Sequence, residues 1–600
     1  MNLRTYGWLI GLFLIGLLAG CQNVEPADVT AAATAVAQSI PATHTPTAVP
    51  PTAVPTTPEP TATPNAIATA LAQDAATRAA GPTRPPTATP KPIPTLDPTV
   101  DRWWNDAVFY EVFVRSFQDS DGDGVGDING LIERLDYLQE LGVNALWLMP
   151  IMESPSYHGY DVVDYYKVDE EYGTAEDFRR LMEEAHARDM RVVVDLVINH
   201  TGLDHPWFQA ANSGDPAYRD WYVWTDPAPT YLGPWGQKVW YPGQDENYYA
   251  VFWSGMPDLN LANPEVTEQI YDVTRFWLED MGVDGFRMDA VRHLIENGAA
   301  QENTPDTHAW LQAYHAYYKS INPDAFTVGE TWTDTQNAAR YAVDENDIAF
   351  EFNLAEAYVR AAGSPIASDI ELAKLVDATW PTNQFGVFLT NHDQNRVMSV
   401  LQDTTKAKQA AALLLTSPGV PFLYYGEEIG MTGTKPDEDI RLPMQWTSDD
   451  PNVGFTTGTP WRAPAADYPE VSVALQDDDP DSLLNHYRTL IHLRRNHEAL
   501  REGDWMLVEA GSNRLYAFLR YTENEVILVL FNLNPNPVLA EDYSLELAEG
   551  PLSGAVTAVT LFGPEVTTAP TINEAGGFSG YTPLPEIPGQ SVTIIHLSSE

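Results

Sequence analysis

Six hundred residues carry 33 Lys and Arg against 84 Asp and Glu, a formal net charge of −51. That excess excludes nucleic acid and anionic membrane surfaces as partners, because both are polyanions. The length exceeds what a lone ion-sensing helix pair needs and admits a large catalytic domain with accessories.

The chain opens with Arg4 and an apolar run that ends in Leu18-Ala19-Gly20-Cys21. The run is short for a bilayer span, and its small terminal residues are those of a cleavable export signal. Those four residues resemble a bacterial lipobox, in which Cys21 becomes the lipid-modified first residue of the mature protein. On this reading residues 1–21 are a lipoprotein signal peptide, and the protein is exported and held at a membrane only through that lipid. A plain signal peptide with an incidental cysteine is the alternative. With no second cysteine, a disulfide within the chain and a multi-cysteine metal site are both impossible. Residues 22–100 run in Pro, Thr and Ala repeats such as "PTAVPPTAVPTTPEPTATP". Such a composition cannot bury a core and reads as a disordered, extended tether.

The folded part is expected from Asp101. "AVFYEVFV" (107–114) is a first strand, followed by "DSDGDGVGD" (119–127). This loop has aspartates at positions 1, 3, 5 and 9 and Gly at position 6 of a calcium loop. The side chains of Asp119, Asp121, Asp123 and Asp127 and the carbonyl of Val125 are hard oxygen ligands suited to Ca²⁺. Position 12 is Gly130 where an EF-hand has a bidentate Glu, and no second copy follows. A calcium sensor is therefore excluded, and a single structural ion is expected.

Next, Leu131, Leu135 and Leu138 fall at i, i+4 and i+7 and predict an amphipathic helix. "VNALWLMP" (143–150) is a second strand. Thr174 and Asp177 form a capping box ahead of a helix that places Phe178, Leu181, Met182 and Ala185 on one face. "RVVVDLVIN" (191–199) is apolar almost throughout, as parallel strands covered on both faces are. Five further strands follow: "GVDGFRMDAV" (282–291), "AFTVGE" (325–330), "DIAFEFN" (347–353), "QFGVFLTNHD" (384–393) and "GVPFLYYGEE" (419–428). Eight strands separated mostly by helical patterns predict an α/β fold, a (β/α)8 TIM barrel over 101–200 and 264–502. A doubly wound sheet is disfavoured, since no Gly-rich phosphate fingerprint follows the first strand. Residues 201–263 lose the helical period and gain Gly, Pro and aromatic residues, an irregular insertion after strand 3. Residues 503–600 read as a C-terminal antiparallel β-sandwich.

In such barrels chemistry gathers where strands meet the loops that follow them. Strand four ends in Asp289, strand five in Glu330 and strand seven in Asp393. Glycosidic bond cleavage needs one carboxylate at the anomeric carbon and one protonated carboxyl at the leaving oxygen. Crowded acids and desolvation raise one carboxyl pKa, while Arg287, two residues from Asp289, favours an ionised partner. Taken alone, an Asp beside an Arg is an ordinary structural ion pair; the other strand ends change that reading.

Over 101–600 the chain resembles the α-amylase family of glycoside hydrolases (family 13). The segments that carry the resemblance occur in the family's order: "DLVINH", "MPDLN" (256–260), "GFRMDAVRH", "GETW", "FLTNHD" and "PFLYYGEE". The resemblance implies Asp289 as nucleophile, Glu330 as general acid/base and Asp393 as transition-state stabiliser, with retention through a covalent glycosyl-enzyme. It implies that His200 and His392 hydrogen-bond the sugar, that Arg287 orients the nucleophile, and that Tyr160 stacks on the sugar with His158 nearby. Arg292-His293 stands where amylases use a Lys-His pair, and the exchange keeps the charge but not the shape. The family also implies a second Ca²⁺ held by Asn199, Asp258 and the His293 carbonyl. "RLPMQW" (441–446) is assigned to structure rather than chemistry.

"MPDLN" resembles a group intermediate between oligo-1,6-glucosidases and neopullulanases, and Ala290 stands where α-1,6-specialised members tend to carry Val. The expectation is an endo-acting α-amylase that cleaves α-1,4 bonds of starch or maltodextrins. An α-glucosidase, a neopullulanase-like enzyme or a transglycosylating member is the alternative. A surface glucan-binding protein with a decayed site is a different class, against which the full set of carboxylates speaks. The sequence leaves the oligomeric state open.

Overall fold

The apolar runs become staves of one closed barrel in the computed structural model. It describes residues 93–96, 100, 102–363 and 367–599. The signal segment with Cys21 and nearly all of the Pro/Thr/Ala tether lie outside the described residues. The staves are β1 (Phe109–Val112), β2 (Ala145–Leu148), β3 (Arg191–Leu196), β4 (Gly285–Met288), β5 (Phe326–Gly329), β6 (Ile348–Phe350), β7 (Phe385–Phe388) and β8 (Val420–Tyr424). Each pairs in parallel with the next, and β8 returns to β1, with Phe109 opposite Phe422.

Because side chains alternate along a strand, one set from each stave must fill the interior. Here that set is strongly aromatic: Phe109, Trp147, Phe326, Phe350, Phe388 and Phe422 form one buried cluster. Phe109 and Phe422 stack with centroids 4.3 Å apart. Trp104, on a short 3-10 turn (Trp103–Asp106), closes the N-terminal end of the barrel. It packs on Phe326 at 5.4 Å, and its indole N–H donates to Gln384 Oε1 at 3.1 Å. The barrel is a packed plug, open to chemistry only at its other end.

The outer helices bury the residues their periodicity selected. Thr174 and Asp177 form the reciprocal capping box, and Phe178, Leu181, Met182 and Ala185 are buried. The predicted helix around Leu131, Leu135 and Leu138 buries all three but is broken in two, Ile128–Glu133 and Leu135–Leu141. Arg134 is the break. Its Nε donates to Gln118 Oε1 at 2.7 Å and its guanidinium lies 4.1 Å over Trp446. Those tertiary contacts outweigh the few tenths of a kcal/mol that propensity contributes at one residue.

Residues 201–263 hold a helix (Pro206–Asn212) and a small antiparallel sheet of Trp224–Thr225, Trp240–Pro242 and Asn247–Tyr249. The returning chain is sewn to the end of β3 by a His200–Asp258 bridge and by Leu259 N–H donating to the Asn199 carbonyl at 2.9 Å. The C-terminal part is an antiparallel sheet of five strands, centred on Leu515–Tyr521, Val526–Asn532 and Ser591–Ser599, with smaller two-stranded sheets against it. Alternation explains why both faces of that sheet are apolar. Ala517, Leu519, Leu528 and Leu530 enter the sandwich core, while Tyr516, Phe518, Val529 and Phe531 join the core that surrounds the barrel.

Candidate active site

The site forms because β3 and β4 pair in a register that sets Asp195 beside Arg287. Arg287 is 1 % exposed. Its Nη1 reaches Asp195 Oδ1 at 2.8 Å and Asp289 Oδ1 at 2.6 Å, and its Nη2 reaches Glu330 Oε2 at 3.1 Å. One guanidinium thus gathers carboxyls from the ends of β3, β4 and β5. Between them, Ala290 adopts a left-handed backbone (φ 49°), and its N–H donates to Glu330 Oε2 at 3.0 Å.

Asp393 arrives from the loop after β7. Arg441 Nη2 lies 3.0 Å from Asp393 Oδ1, and the Arg441 Nε donates to the His392 carbonyl at 2.9 Å. This corrects the reading of "RLPMQW" as purely structural: its arginine belongs to the centre. Nothing in the local sequence around Arg441 marks it, because its partner lies 48 residues away.

Burial pushes the Glu330 carboxyl up, with Arg287 opposing and the charges of Asp289 and Asp393 adding to the rise. Burial also raises Asp289, against the shorter Arg287 contact. It pushes Asp195 up to about 7, again with Arg287 opposing. Asp393 goes the other way. Burial alone would raise it, but the nearby His392 and Arg441 outweigh that and hold it below the usual carboxylate range. Three carboxyls of one cleft are thus driven up and Asp393 alone is held down; what sets Asp289 apart from Glu330 is its shorter contact to Arg287, not the direction of its shift.

A cavity of ≈ 430 Å³ opens over these groups, lined by His158, Tyr160, His200, Asp289, Arg292, His293, Glu330 and Asp393. Arg287 and His392 lie directly behind this wall, so every side chain predicted for catalysis or sugar binding converges on one place. Tyr160 presents its ring to the cleft, and its hydroxyl donates to Asp195 Oδ2 at 3.0 Å. His158 Nδ1 accepts the Tyr160 N–H at 3.1 Å, and burial lowers this imidazole to about 4. His200 Nε2 donates to the Tyr160 carbonyl at 3.0 Å, and burial lowers it to about 4 as well. Arg292 is bound by Glu302 and by the Trp332 carbonyl. The insertion adds Trp235, Phe252, Trp253 and Met256 to the lining, and the loop after β5 adds Trp332. These aromatics were not assigned from sequence, since an irregular segment has no period to say which rings face a cleft.

Two places suit a cation. Carboxylate oxygens of Asp119, Asp121 and Asp127 lie within 4.8 Å of one another. Asp123 stands outside that group, so three of the four predicted aspartates converge. Gly130 must be glycine: a Cβ there would meet the Gln118 carbonyl oxygen at 2.0 Å, which leaves no room for a twelfth-position Glu. At the second place, Asn199 Oδ1 and Asp258 Oδ2 are buried without a hydrogen-bond partner among the described residues. Burial raises the Asp258 carboxyl far above its ordinary range. Two orphaned hard oxygens in the interior fit a cation, since buried polar atoms are otherwise satisfied.

The comparisons agree with this geometry. The model of the family described as "Alpha amylase, catalytic domain" matches residues 111–503. The chain is 41% identical to Alpha-amylase 3 of Dictyoglomus thermophilum over 447 residues, covering 72% of this chain and 85% of that protein. It is 35% identical to an oligo-1,6-glucosidase of Heyndrickxia coagulans over 518 residues, covering 73% and 93%. The crystal structure of an α-amylase from H. orenii superposes with a TM-score of 0.71 at 38% identity, covering 82% of this chain and 99% of that one. A closed eight-stranded barrel, carboxyls gathered on one buried arginine at its C-terminal end and a family match across that barrel lead to one conclusion: the chain belongs to the α-amylase family of glycoside hydrolases.

Proposed function

We propose that this protein is an endo-acting α-amylase that hydrolyses α-1,4-glucosidic bonds of starch and maltodextrins with retention of configuration. The observation that carries the reaction type is the single guanidinium of Arg287 in contact with both Asp289 and Glu330. Two carboxyls drawn together on one cation suit a nucleophile and an acid on either side of a scissile bond.

In this reading Asp289, held by the 2.6 Å contact to Arg287, attacks the anomeric carbon. Glu330, whose carboxyl burial and neighbouring charge push upward, delivers its proton to the leaving oxygen. The bond from sugar to leaving oxygen breaks as the bond to Asp289 forms. Glu330, now ionised, takes a proton from water, and that water releases the sugar from Asp289. Asp393, held ionised by His392 and Arg441, faces the positive charge that develops on the sugar ring. Tyr160 and the aromatic residues of the insertion give a neutral glucan apolar faces to stack on.

The endo-amylase assignment draws on the relative named Alpha-amylase 3 and on Ala290. The relative named as an oligo-1,6-glucosidase supports a second reading, an α-glucosidase, neopullulanase-like or transglycosylating enzyme. Chromatography of early products from maltoheptaose and pullulan separates them. Mixed maltooligosaccharides from maltoheptaose are expected; glucose as the sole early product would sink the endo reading.

We also propose that Asp119, Asp121 and Asp127 with the Val125 carbonyl hold one Ca²⁺, and that Asn199, Asp258 and the His293 carbonyl hold a second. When bound, the ions offset crowded negative charge and join loops to the barrel, and they take no part in bond cleavage. Export with a lipid on Cys21, and a tether over residues 22–100, completes the proposal. Labelled palmitate should enter the wild-type chain and fail to enter Cys21→Ser; equal labelling of both would refute the anchor.

For the mechanism, Glu330→Gln is expected to lower kcat on maltoheptaose by about 10²–10⁴-fold while the melting temperature stays that of the wild type. Wild-type turnover in that variant would overturn the assignment. For the ions, EDTA is expected to lower the melting temperature, since losing a cation present at a hundredfold excess over Kd removes about 2.7 kcal/mol of stability. Asp119→Ala should remove much of the EDTA response, and Asp123→Ala should largely keep it. A melting temperature indifferent to EDTA would exclude both sites.

A further inference from the structure

Glu111 is a buried carboxyl at this centre to which the reaction assigns no task. It lies in β1, 2 % exposed, and its Oε1 is 2.5 Å from His392 Nδ1. On the opposite edge of the ring, His392 Nε2 is 2.7 Å from the Tyr160 hydroxyl oxygen and 3.4 Å from Asp393 Oδ2. The Tyr160 ring stacks on the imidazole with centroids 5.5 Å apart at 17°.

The direction of each hydrogen bond can be worked out from the partners. Asp195 meets donors that cannot accept, Arg287 at 2.8 Å and the Trp147 indole at 3.3 Å. Beside those donors, Asp195 Oδ2 accepts the single hydroxyl proton of Tyr160 at 3.0 Å, so that proton is committed away from His392. The Tyr160 oxygen is then free only to accept, so His392 Nε2 must carry a proton. Where the Glu111 oxygen accepts as well, Nδ1 carries one too. A ring with protons on both nitrogens is an imidazolium.

We propose that Glu111 is a positioning residue that keeps His392 doubly protonated and, through it, fixes the ring of Tyr160 against the sugar-binding cleft. The groups that face His392 come from every side. Glu111 of β1, Asp195 of β3, Asp289 after β4 and the adjoining Asp393 favour the charge, while Arg287 and Arg441 oppose it and Tyr160 accepts from it. Burial by itself would lower this imidazole, but Asp393 and Glu111 outweigh it and hold the group above its ordinary range. The effect of Glu111 on turnover rests on the glucan-hydrolase reading; the protonation state of His392 does not.

The experiment uses the full chain labelled with ¹⁵N-histidine, with His392→Asn to assign the resonances. At about pH 7.5 both ring nitrogens of His392 should show imidazolium shifts in the wild type, and neutral-ring shifts in the isosteric Glu111→Gln. In parallel, kcat/KM of Glu111→Gln on maltoheptaose should fall about tenfold at that pH and recover toward wild type near pH 5, where solvent protons restore the charge. A neutral His392 in the wild type overturns the proposal, whether or not the variant folds. So does an imidazolium that persists in Glu111→Gln, or an activity loss equal at both pH values, which would mark a packing role alone. Wild-type protein without any glucan hydrolysis refutes the enzymatic reading and leaves the spectroscopic result to stand by itself.

Discussion

The guanidinium of Arg287 is the constraint around which the rest of this structure is arranged. Moving a charge of that size out of water costs several kcal/mol even after relaxation, and only close, well-directed partners offset it. Three carboxyls supply those partners at 2.6–3.1 Å. The dependence is mutual, since the same carboxyls would repel one another without a cation between them. Yet one positive charge cannot neutralise three negative ones. Burial answers the imbalance by driving all three, Asp195, Asp289 and Glu330, upward, with Arg287 opposing at each. The charge balance that burial demands is also the condition under which the proposed reaction finds its acid.

The backbone makes this possible by ending each stave at the right height. Asp289 is the first residue after β4, and Glu330 the first after β5, with Glu330 N–H donating to the Met288 carbonyl at 3.0 Å. Ala290 must then turn sharply, and its left-handed conformation aims its N–H at Glu330. For a non-glycine residue that conformation costs about 1–2 kcal/mol, and a β-branched side chain finds it harder still. Strain of this kind persists only where surrounding contacts fix it, as the aromatic barrel core and the Arg287 network do here.

Most of the fold was legible in the sequence because it is written in local periodicity. Eight apolar runs became eight staves, and the Thr174–Asp177 box capped its helix as its spacing requires. Two of the three carboxylates, Asp289 and Glu330, were legible because each follows directly on such a run, and Asp393 because its loop closes the seventh. What escaped reading depends on partners far away in the chain. Arg134 breaks a helix because Gln118 and Trp446 hold it. Arg441 reaches Asp393 across 48 residues, and Glu111 reaches His392 across 281. Asp123 carries the same residue type and spacing as its neighbours, and even the same bond to the N–H two residues on, yet it stands outside the converging group. A one-dimensional pattern records which residues are available, whereas the pairing of buried charges is settled only when the barrel closes.

The same distinction bears on specificity. Relatives of this chain bear the names of enzymes acting on different glucosidic bonds, so membership of the family does not by itself choose among those bonds. The residues free to do so are the lining side chains that the shared barrel does not dictate. In this chain they come largely from the insertion: Trp235, Phe252, Trp253 and Met256. Trp253 is 51 % exposed beside the cleft, a large ring whose burial awaits a partner. A glucan is uncharged, so the chain's net charge of −51 neither attracts nor repels it, and binding must come from stacking and hydrogen bonds. Arg292, already committed to Glu302 and the Trp332 carbonyl, is restrained from moving to meet a leaving group. Beside Ala290 at the end of β4, the cleft wall is thus set by aromatic rings carried on an irregular loop, where sequence pattern is least informative.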